Sequence, residues 1–276
     1  MSKIWLITGS SRGLGRALTE AVLAAGDRVV ATARKPEQLG DLVTQYGDQL
    51  RAVALDVTDA DAARAAVRTA VEEFGGLDVV ANNAGYANSA PIEQMADDDF
   101  RAQVETNLFG VVNVTKAALP VFREQRSGHF LQFSSIGGRA GGTPGMGAYQ
   151  TAKFAVEGFS EVLNNEVRPF GVKVTIVEPG GFRTDWGGSS MQLHDVHPDY
   201  EATVGEMHQR RVDTDGKQPG DPAKAATAIL QIVDLENPPL RLLLGSDALK
   251  LAETSSASRA EEAATWAHLT TSTDFD

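Results

Sequence analysis

Tyr149 and Lys153 stand four residues apart in the run Tyr149-Gln150-Thr151-Ala152-Lys153, a spacing that puts both side chains on one face of a helix. An isolated phenol titrates at about 10, too high for efficient proton exchange at neutral pH, and an ammonium group beside it favours the phenolate. The pair is a candidate acid–base unit in which Lys153 is expected to draw the Tyr149 pKa down. Ser134 and Ser135 close an apolar run at 128–133, and a hydroxyl there can share a carbonyl or oxyanion with the phenol. Asn107 stands in the helical pattern Val104-Glu105-Thr106-Asn107-Leu108-Phe109-Gly110. Asparagine is a mediocre helix former, so it reads as a polar functional group rather than packing. Alone, Tyr and Lys at helical spacing carry no function; their place in the chain gives them weight.

A second cluster lies near the N-terminus. Thr8-Gly9-Ser10-Ser11-Arg12-Gly13-Leu14-Gly15 joins an apolar run at 4–7 to a helical pattern at 16–25. Glycines in such a turn let backbone N–H groups and the helix N-terminus approach a pyrophosphate. The spacing is G-x-x-x-G-x-G rather than the general G-x-G-x-x-G. A site selective for NAD usually carries an acid about twenty residues on, at the ribose 2′-hydroxyl. This chain instead has Ala33, Arg34 and Lys35 there, and Arg12 inside the turn. Cations without an acid favour a 2′-phosphate, so the expected cofactor is NADP(H).

The elements that must position these groups alternate. Short β-branched runs fall at 4–7, 28–33, 51–55, 77–81, 128–133, 172–177 and 240–244, and helical patterns at 16–25, 36–46, 60–74, 97–125 and 149–167. Gly26 ends the first helix, Asp59 caps the third, and Gly75-Gly76 closes it. Continuously apolar strands separated by helices predict an α/β fold: a doubly wound parallel sheet of about seven strands, helices on both faces, ligands at the carboxyl ends of the strands. The strands continue to 244, so 1–276 is taken as one domain. Residues 186–220 lack clear periodicity and are expected to form a substrate lid, followed by a helix started by Asp221-Pro222. Residues 247–276 are expected to be a helix and a frayed acidic tail.

Composition narrows the chemistry. With 25 Lys and Arg against 37 Asp and Glu, the net charge is −12, which disfavours nucleic acid and anionic membrane surfaces as partners. There is no cysteine, which excludes disulfides and thiolate catalysis. No apolar run reaches the length of a membrane span or a secretory leader, so a cytoplasmic protein is expected. His194 and His197 lack a third ligand, so no metal is expected. Tyr86, Met146, Phe182 and Trp186 flank the motif residues and are candidates for an apolar pocket wall.

The sequence resembles the short-chain dehydrogenase/reductase family, which implies a Rossmann-type fold. Thr8 to Gly15, with Gly9, Ser11, Arg12, Gly13, Leu14 and Gly15, match the cofactor turn. The resemblance implies that Asp56, with Val57 beside it, lies at the adenine, and that Asn82-Asn83-Ala84-Gly85 lie beside the adenosine ribose. It makes Asn107, Ser135, Tyr149 and Lys153 the catalytic tetrad, and gives Pro179, Gly180 and Thr184 to the nicotinamide carboxamide. The interval from Ser135 to Tyr149 is one residue longer than the family pattern; Gly141-Gly142 are taken to absorb it, and Ser135 is preferred to Ser134.

The resemblance further implies that Tyr149 protonates a carbonyl oxygen as hydride reaches the carbon, while Ser135 orients that oxygen. Lys153 would hold the nicotinamide ribose and Asn107 a water leading to solvent. The function expected is an NADP-dependent oxidoreductase for a secondary alcohol and its ketone or carbonyl compound. Tyr149 to Gly158 and Glu178 to Thr184 resemble the hydroxysteroid- and retinol-type branch. Acyl-chain ketones and small carbonyl compounds are alternative substrates, and a non-catalytic NADP(H) sensor is the alternative function. The expected assembly is a homodimer or homotetramer through 97–125 and 149–167.

Overall fold

Ile4–Ile7 (β1) is buried along its whole length because it lies in mid-sheet with a layer of helices on each side. In this computed structural model, which describes residues 2–186 and 191–275, eight further strands follow. They are Arg28–Ala33 (β2), Leu50–Ala54 (β3), Val79–Asn82 (β4), Asn88–Ser89 (β5), Gly128–Phe133 (β6), Val172–Pro179 (β7), Gln192–Leu193 (β8) and Arg241–Leu244 (β9). Seven form one parallel sheet in the order β3-β2-β1-β4-β6-β7-β9. This is the expected doubly wound α/β fold, helices on both faces.

Alternate residues of each strand enter opposite layers. Trp5, Ile7, Val29, Ala31 and Leu131 pack with Leu18 and Val22 of the helix Gly13–Ala24 and with Ala226 and Ile229 of Pro222–Val233. Leu6, Val30, Val80 and Phe130 face the other way, onto Ala66 and Ala70 of Ala60–Phe74, Val114 and Ala118 of Gly110–Gln125, and Leu163 of Gly147–Val167. Burial on both sides is why the central strands read as largely apolar runs rather than as alternating ones. Asp59 caps its helix by accepting from Asp61 N at 2.8 Å and Ala62 N at 3.0 Å, and Gly75 ends it at φ +88°.

Several boundaries move. β4 begins at Val79 rather than 77 because the Gln125 side chain takes both the N–H and the carbonyl of Leu77, at 3.2 and 2.7 Å. β7 runs on to Pro179 because β9 pairs with it as far as Leu244. The helix expected at 97–125 is Asp97–Val104 and Gly110–Gln125 joined by a π-helical turn, Glu105–Phe109, which carries Asn107. The first helix starts at Gly13, one turn earlier than expected.

The expected irregular lid is partly helical. Residues 187–190 lie outside the described residues. Beyond them β8 pairs with β5, and Glu206–Thr214 forms a helix. That helix has no buried residue, so it leaves no apolar stripe in the sequence. The expected frayed tail is also helical: Ser246–Thr265 continues into Ala267–Thr271, where Thr270 and Thr271 hydroxyls bond carbonyls four residues back. Among the described residues no helix is long and apolar enough to cross a membrane.

Candidate active site

From β3 at one edge the chain returns to lay β4 on the far side of β1, and a crevice opens at the carboxyl ends of these strands. The cleft there holds about 1040 Å³. Gly9, Ser11, Arg12, Gly13 and Leu14 line it from the β1 turn, Arg34 from the end of β2, and Asp56 and Val57 from the end of β3. Asn83, Ala84 and Gly85 line it after β4, Ser135 after β6, and Pro179, Gly180 and Thr184 from the end of β7 onward. Asn107 enters from the π-helical turn Glu105–Phe109, and Tyr149 and Lys153 from the helix Gly147–Val167. Gly15 lies beneath, buried in the first turn of its helix.

The glycine turn is built for close approach. Gly9 and Gly13 have φ of +70° and +58°, values that side chains rarely tolerate. A Cβ on Gly15 would run into Asn83 Nδ2 and the Gly9 carbonyl. Asn83 Nδ2 donates to the Thr8 carbonyl at 2.9 Å and the Gly9 carbonyl at 3.3 Å, while Thr8 Oγ1 accepts from Asn83 N and Ala84 N at 3.0 Å. The Asn83 side chain therefore braces the turn. Arg12, Arg34 and Lys35 are all exposed, and none forms an ion pair with an acid among the described residues. The set fits a dinucleotide: backbone room for a pyrophosphate, and three uncommitted cations within reach of a ribose phosphate.

Ser135 caps the short helix Ile136–Arg139, its Oγ accepting from Gly137 N at 3.0 Å. Ser134 also borders the cleft but is buried, its Oγ donating to the Lys153 carbonyl at 3.4 Å. Gln150 Oε1 accepts from Gly142 N at 2.9 Å and Thr143 N at 3.2 Å, which fixes the loop between Ser135 and Tyr149. Asn107 is fully buried, and its amide donates to the carbonyls of Tyr86 and Gln103, both at 2.8 Å, while Oδ1 accepts from Tyr86 N at 3.2 Å. Both amide hydrogens are spent, so the side chain itself ties the Gly85–Tyr86 segment to the π turn.

The expected lowering of the Tyr149 pKa by Lys153 is outweighed by burial. Tyr149 is only 8 % exposed, and burial pushes its pKa up to about 12, against the smaller opposing effects of a hydrogen bond from Ser135 and the charge of Arg211. Burial also pushes Lys153 down to about 8, with Glu157 opposing. Lys153 Nζ donates to the Phe133 carbonyl at 2.7 Å and sits 5.6 Å from the Tyr149 ring centre. Desolvation outweighs the pairing.

The apolar wall is partly as expected. Trp186 tilts against Tyr149 with ring centres 5.2 Å apart, and Ala87, Met146, Met191 and Leu193 complete that cluster. Tyr86 and Phe182 also line the cleft. Sequence reasoning missed Arg211, on the helix Glu206–Thr214, which lines the same cleft. Its neighbours Gln209 and Arg210 make the run look like a solvated face, so no sequence signal singled it out. His194 faces Asp99 at 3.3 Å and His197 faces Asp199 at 3.6 Å; among the described residues no three His, Asp or Glu side chains cluster to hold a metal.

With the cleft, the glycine turn and the Tyr–Lys helix in place, the class of protein is defined. The short chain dehydrogenase family model matches residues 3–193, and the chain belongs to that family. It is 55% identical over 253 residues to "Oxidoreductase BOA17" of Botryotinia fuckeliana (strain B05.10), across 91% of this chain and 92% of that protein. The crystal structure of a short-chain dehydrogenase from Streptomyces avermitilis superposes with TM-score 0.93 at 41% identity, covering all of both chains. An alcohol dehydrogenase from Thermococcus sibiricus, solved with 5-hydroxy-NADP, superposes with TM-score 0.72 at 26% identity, over 88% of this chain and 96% of that one. The protein is an oxidoreductase of a family that binds a nicotinamide cofactor and acts on small molecules.

Proposed function

We propose that this chain is an NADP(H)-dependent oxidoreductase that interconverts a secondary alcohol and its ketone, with Tyr149 as the proton carrier. The observation that carries this is the convergence of Ser135, Tyr149 and Lys153 on one cleft whose far end holds Arg12, Arg34 and Lys35. Arg12, Arg34 and Lys35 bind the ribose 2′-phosphate, the glycine turn the pyrophosphate, and Lys153 with Pro179, Gly180 and Thr184 the nicotinamide half. When bound, the reduced cofactor supplies the hydride that adds to the carbonyl carbon.

This chain's residues supply the rest. Ser135 donates to the carbonyl oxygen and fixes its position against the phenol. Tyr149, held protonated at neutral pH by its burial, gives its proton to that oxygen as the alcohol forms. Lys153 holds its place through the Phe133 carbonyl. Asn107 shapes the floor through Tyr86 and Gln103 and would hold a water that links Lys153 to solvent. Trp186 and the helix Glu206–Thr214 cover the substrate, with Trp186 excluding water from the reacting atoms.

The same reading covers the whole chain as one domain in the cytoplasm, a homodimer or homotetramer joined through the two long helices, where Phe109, Phe154 and Val162 stand exposed. A hydroxysteroid- or retinol-like alcohol is one candidate substrate; acyl-chain ketones and small carbonyl compounds are others. The test follows NADPH and NADH consumption by purified protein against ketones from small aromatics to steroids, with Tyr149→Phe in parallel. Turnover that prefers NADPH and drops about 10²–10⁴-fold in the variant is expected. Near-native turnover by Tyr149→Phe would overturn the assignment.

A further inference from the structure

Arg211 is a charged residue lining the cleft whose chemistry the proposed reaction does not use. Its Nε is enclosed by protein yet has no hydrogen-bond partner among the described residues. The adjacent Arg210 pairs with Glu206 at 3.6 Å, whereas Arg211 makes no ion pair with a carboxylate among the described residues. Only Tyr149 favours its charge, and burial opposes it. Burying a guanidinium costs free energy unless an anion meets it. The surroundings make that cost visible: Tyr86, Phe182 and Trp186 line the same cleft, with Trp186 tilted against Tyr149. A half-buried cation whose Nε–H has no partner among the described residues, in a cleft that Tyr86, Phe182 and Trp186 also line, is complementary to a molecule with an apolar body that carries an anionic oxygen group.

We infer that Arg211 is a specificity-determining residue that binds a carboxylate on the substrate, so that the preferred substrate is a keto acid, or the matching hydroxy acid, with an apolar body. The planar guanidinium fork matches a carboxylate with paired N–H···O bonds. With the ketone oxygen at Ser135 and Tyr149 and the carboxylate at Arg211, the substrate is held at two points. The helix Glu206–Thr214 would then be fixed over the cleft by the substrate itself, since Arg211 projects from it. This inference rests on the proposed alcohol–ketone reaction for its substrate, but the anion site stands independently of turnover.

Two measurements separate the possibilities. The first is calorimetric titration of the NADPH complex with benzoate and with benzamide, in wild type, Arg211→Ala and Arg211→Lys. Benzoate is expected to bind and benzamide to bind more weakly, with Arg211→Ala raising the benzoate Kd by about tenfold to a hundredfold and Arg211→Lys by less. The second is kcat/KM for keto acids (benzoylformate, acetoacetate, levulinate) against their methyl esters. The acid-to-ester ratio is expected to fall at least tenfold in Arg211→Ala, through KM. Turnover of neutral ketones with no carboxylate binding would overturn the anion site and leave the reaction standing. Arg211-dependent benzoate binding with no turnover of any carbonyl compound would uphold the anion site and overturn the reaction. An Arg211→Ala loss that falls on NADPH affinity as heavily as on benzoate would assign the residue to the cofactor and overturn the inference.

Discussion

Lys153 Nζ donates to the Phe133 carbonyl at 2.7 Å, at the end of the strand that also delivers Ser135. The bond fixes a side chain that is only 4 % exposed, and burial lowers its pKa from 10.5 to about 8. The unfolded chain keeps this proton up to the higher value, so between the two it binds more protons than the folded one. Folding therefore strengthens as pH rises through this window and weakens as pH falls toward 8. Tyr149, raised from 10.0 to about 12, opposes the gain only above 10. Urea midpoints of the cofactor-free protein at pH 8, 9 and 10 should rise by an amount that Lys153→Met abolishes, at most about 1.4 kcal/mol per pH unit. Parallel profiles for the two proteins would show that Lys153 is not titrating there.

The two serines after β6 should separate cleanly. Ser135 Oγ reaches Gly137 N and acts on the Tyr149 phenol, whereas Ser134 Oγ faces the Lys153 carbonyl. Ser135→Ala is expected to lower kcat by about 10²–10³, the size of a lost oxyanion donor. Ser134→Ala should cost less than about tenfold, because the hydrogen bonds it loses, to the Ser135 and Lys153 carbonyls and to Glu157, are internal to the protein. Single-turnover rates measured with saturating NADPH would decide, and a larger loss in Ser134→Ala would reverse the roles.

What the sequence made legible was whatever repeats locally. The unbroken runs at β1, β2 and β6, the cap at Asp59 and the stop at Gly75 follow from near neighbours, and the structure has them where expected. Leu77 could not be excluded from its strand, because its partner is the side chain of Gln125, far along the chain. Asn107 was visible as a poor helix former, but not that its amide would be spent on Tyr86 and Gln103. The direction of the Tyr149 pKa is not legible for the same cause: the Lys153 spacing is local, and the burial that overrides it is tertiary. Arg211 was hidden because its helix packs through nothing buried and its sequence neighbours are polar.

Cofactor choice should follow the cations at the ends of β1 and β2. Arg12, Arg34 and Lys35 are exposed, with no described acid to displace, so a 2′-phosphate gains their contacts without breaking others. Arg34→Ala is expected to raise the NADPH KM by about tenfold to a hundredfold and to leave the NADH KM within about twofold. Added salt should weaken NADPH binding more than NADH binding, since exposed charges are screened. Steady-state kinetics with both cofactors at two ionic strengths would test this; equal losses for NADPH and NADH would remove Arg34 from the phosphate site.

Acid stability should depend on one histidine outside the cleft. His129 in β6 is 3 % exposed, and its Nε2 lies 2.9 Å from Thr175 Oγ1 in the neighbouring β7. Nδ1 has no partner among the described residues, so a second proton would find no acceptor. Burial, aided by the charge of Lys173, lowers the pKa from 6.5 to about 3. The folded protein thus keeps His129 neutral while the unfolded chain takes up a proton below pH 6.5. Stability contributed by the neutral ring is full above that value and drains away as pH falls toward 3, by about 1.4 kcal/mol per pH unit. His129→Gln keeps a polar group for Thr175 but cannot titrate, so its urea midpoint should fall less steeply between pH 6.5 and 4.5 than that of the wild type. The variant is expected to be less stable at pH 8, where the better-fitting imidazole is already neutral, so the two stability curves should converge as the pH is lowered. Curves that stay parallel from pH 8 to 4.5 would mean that some other group sets the acid limit.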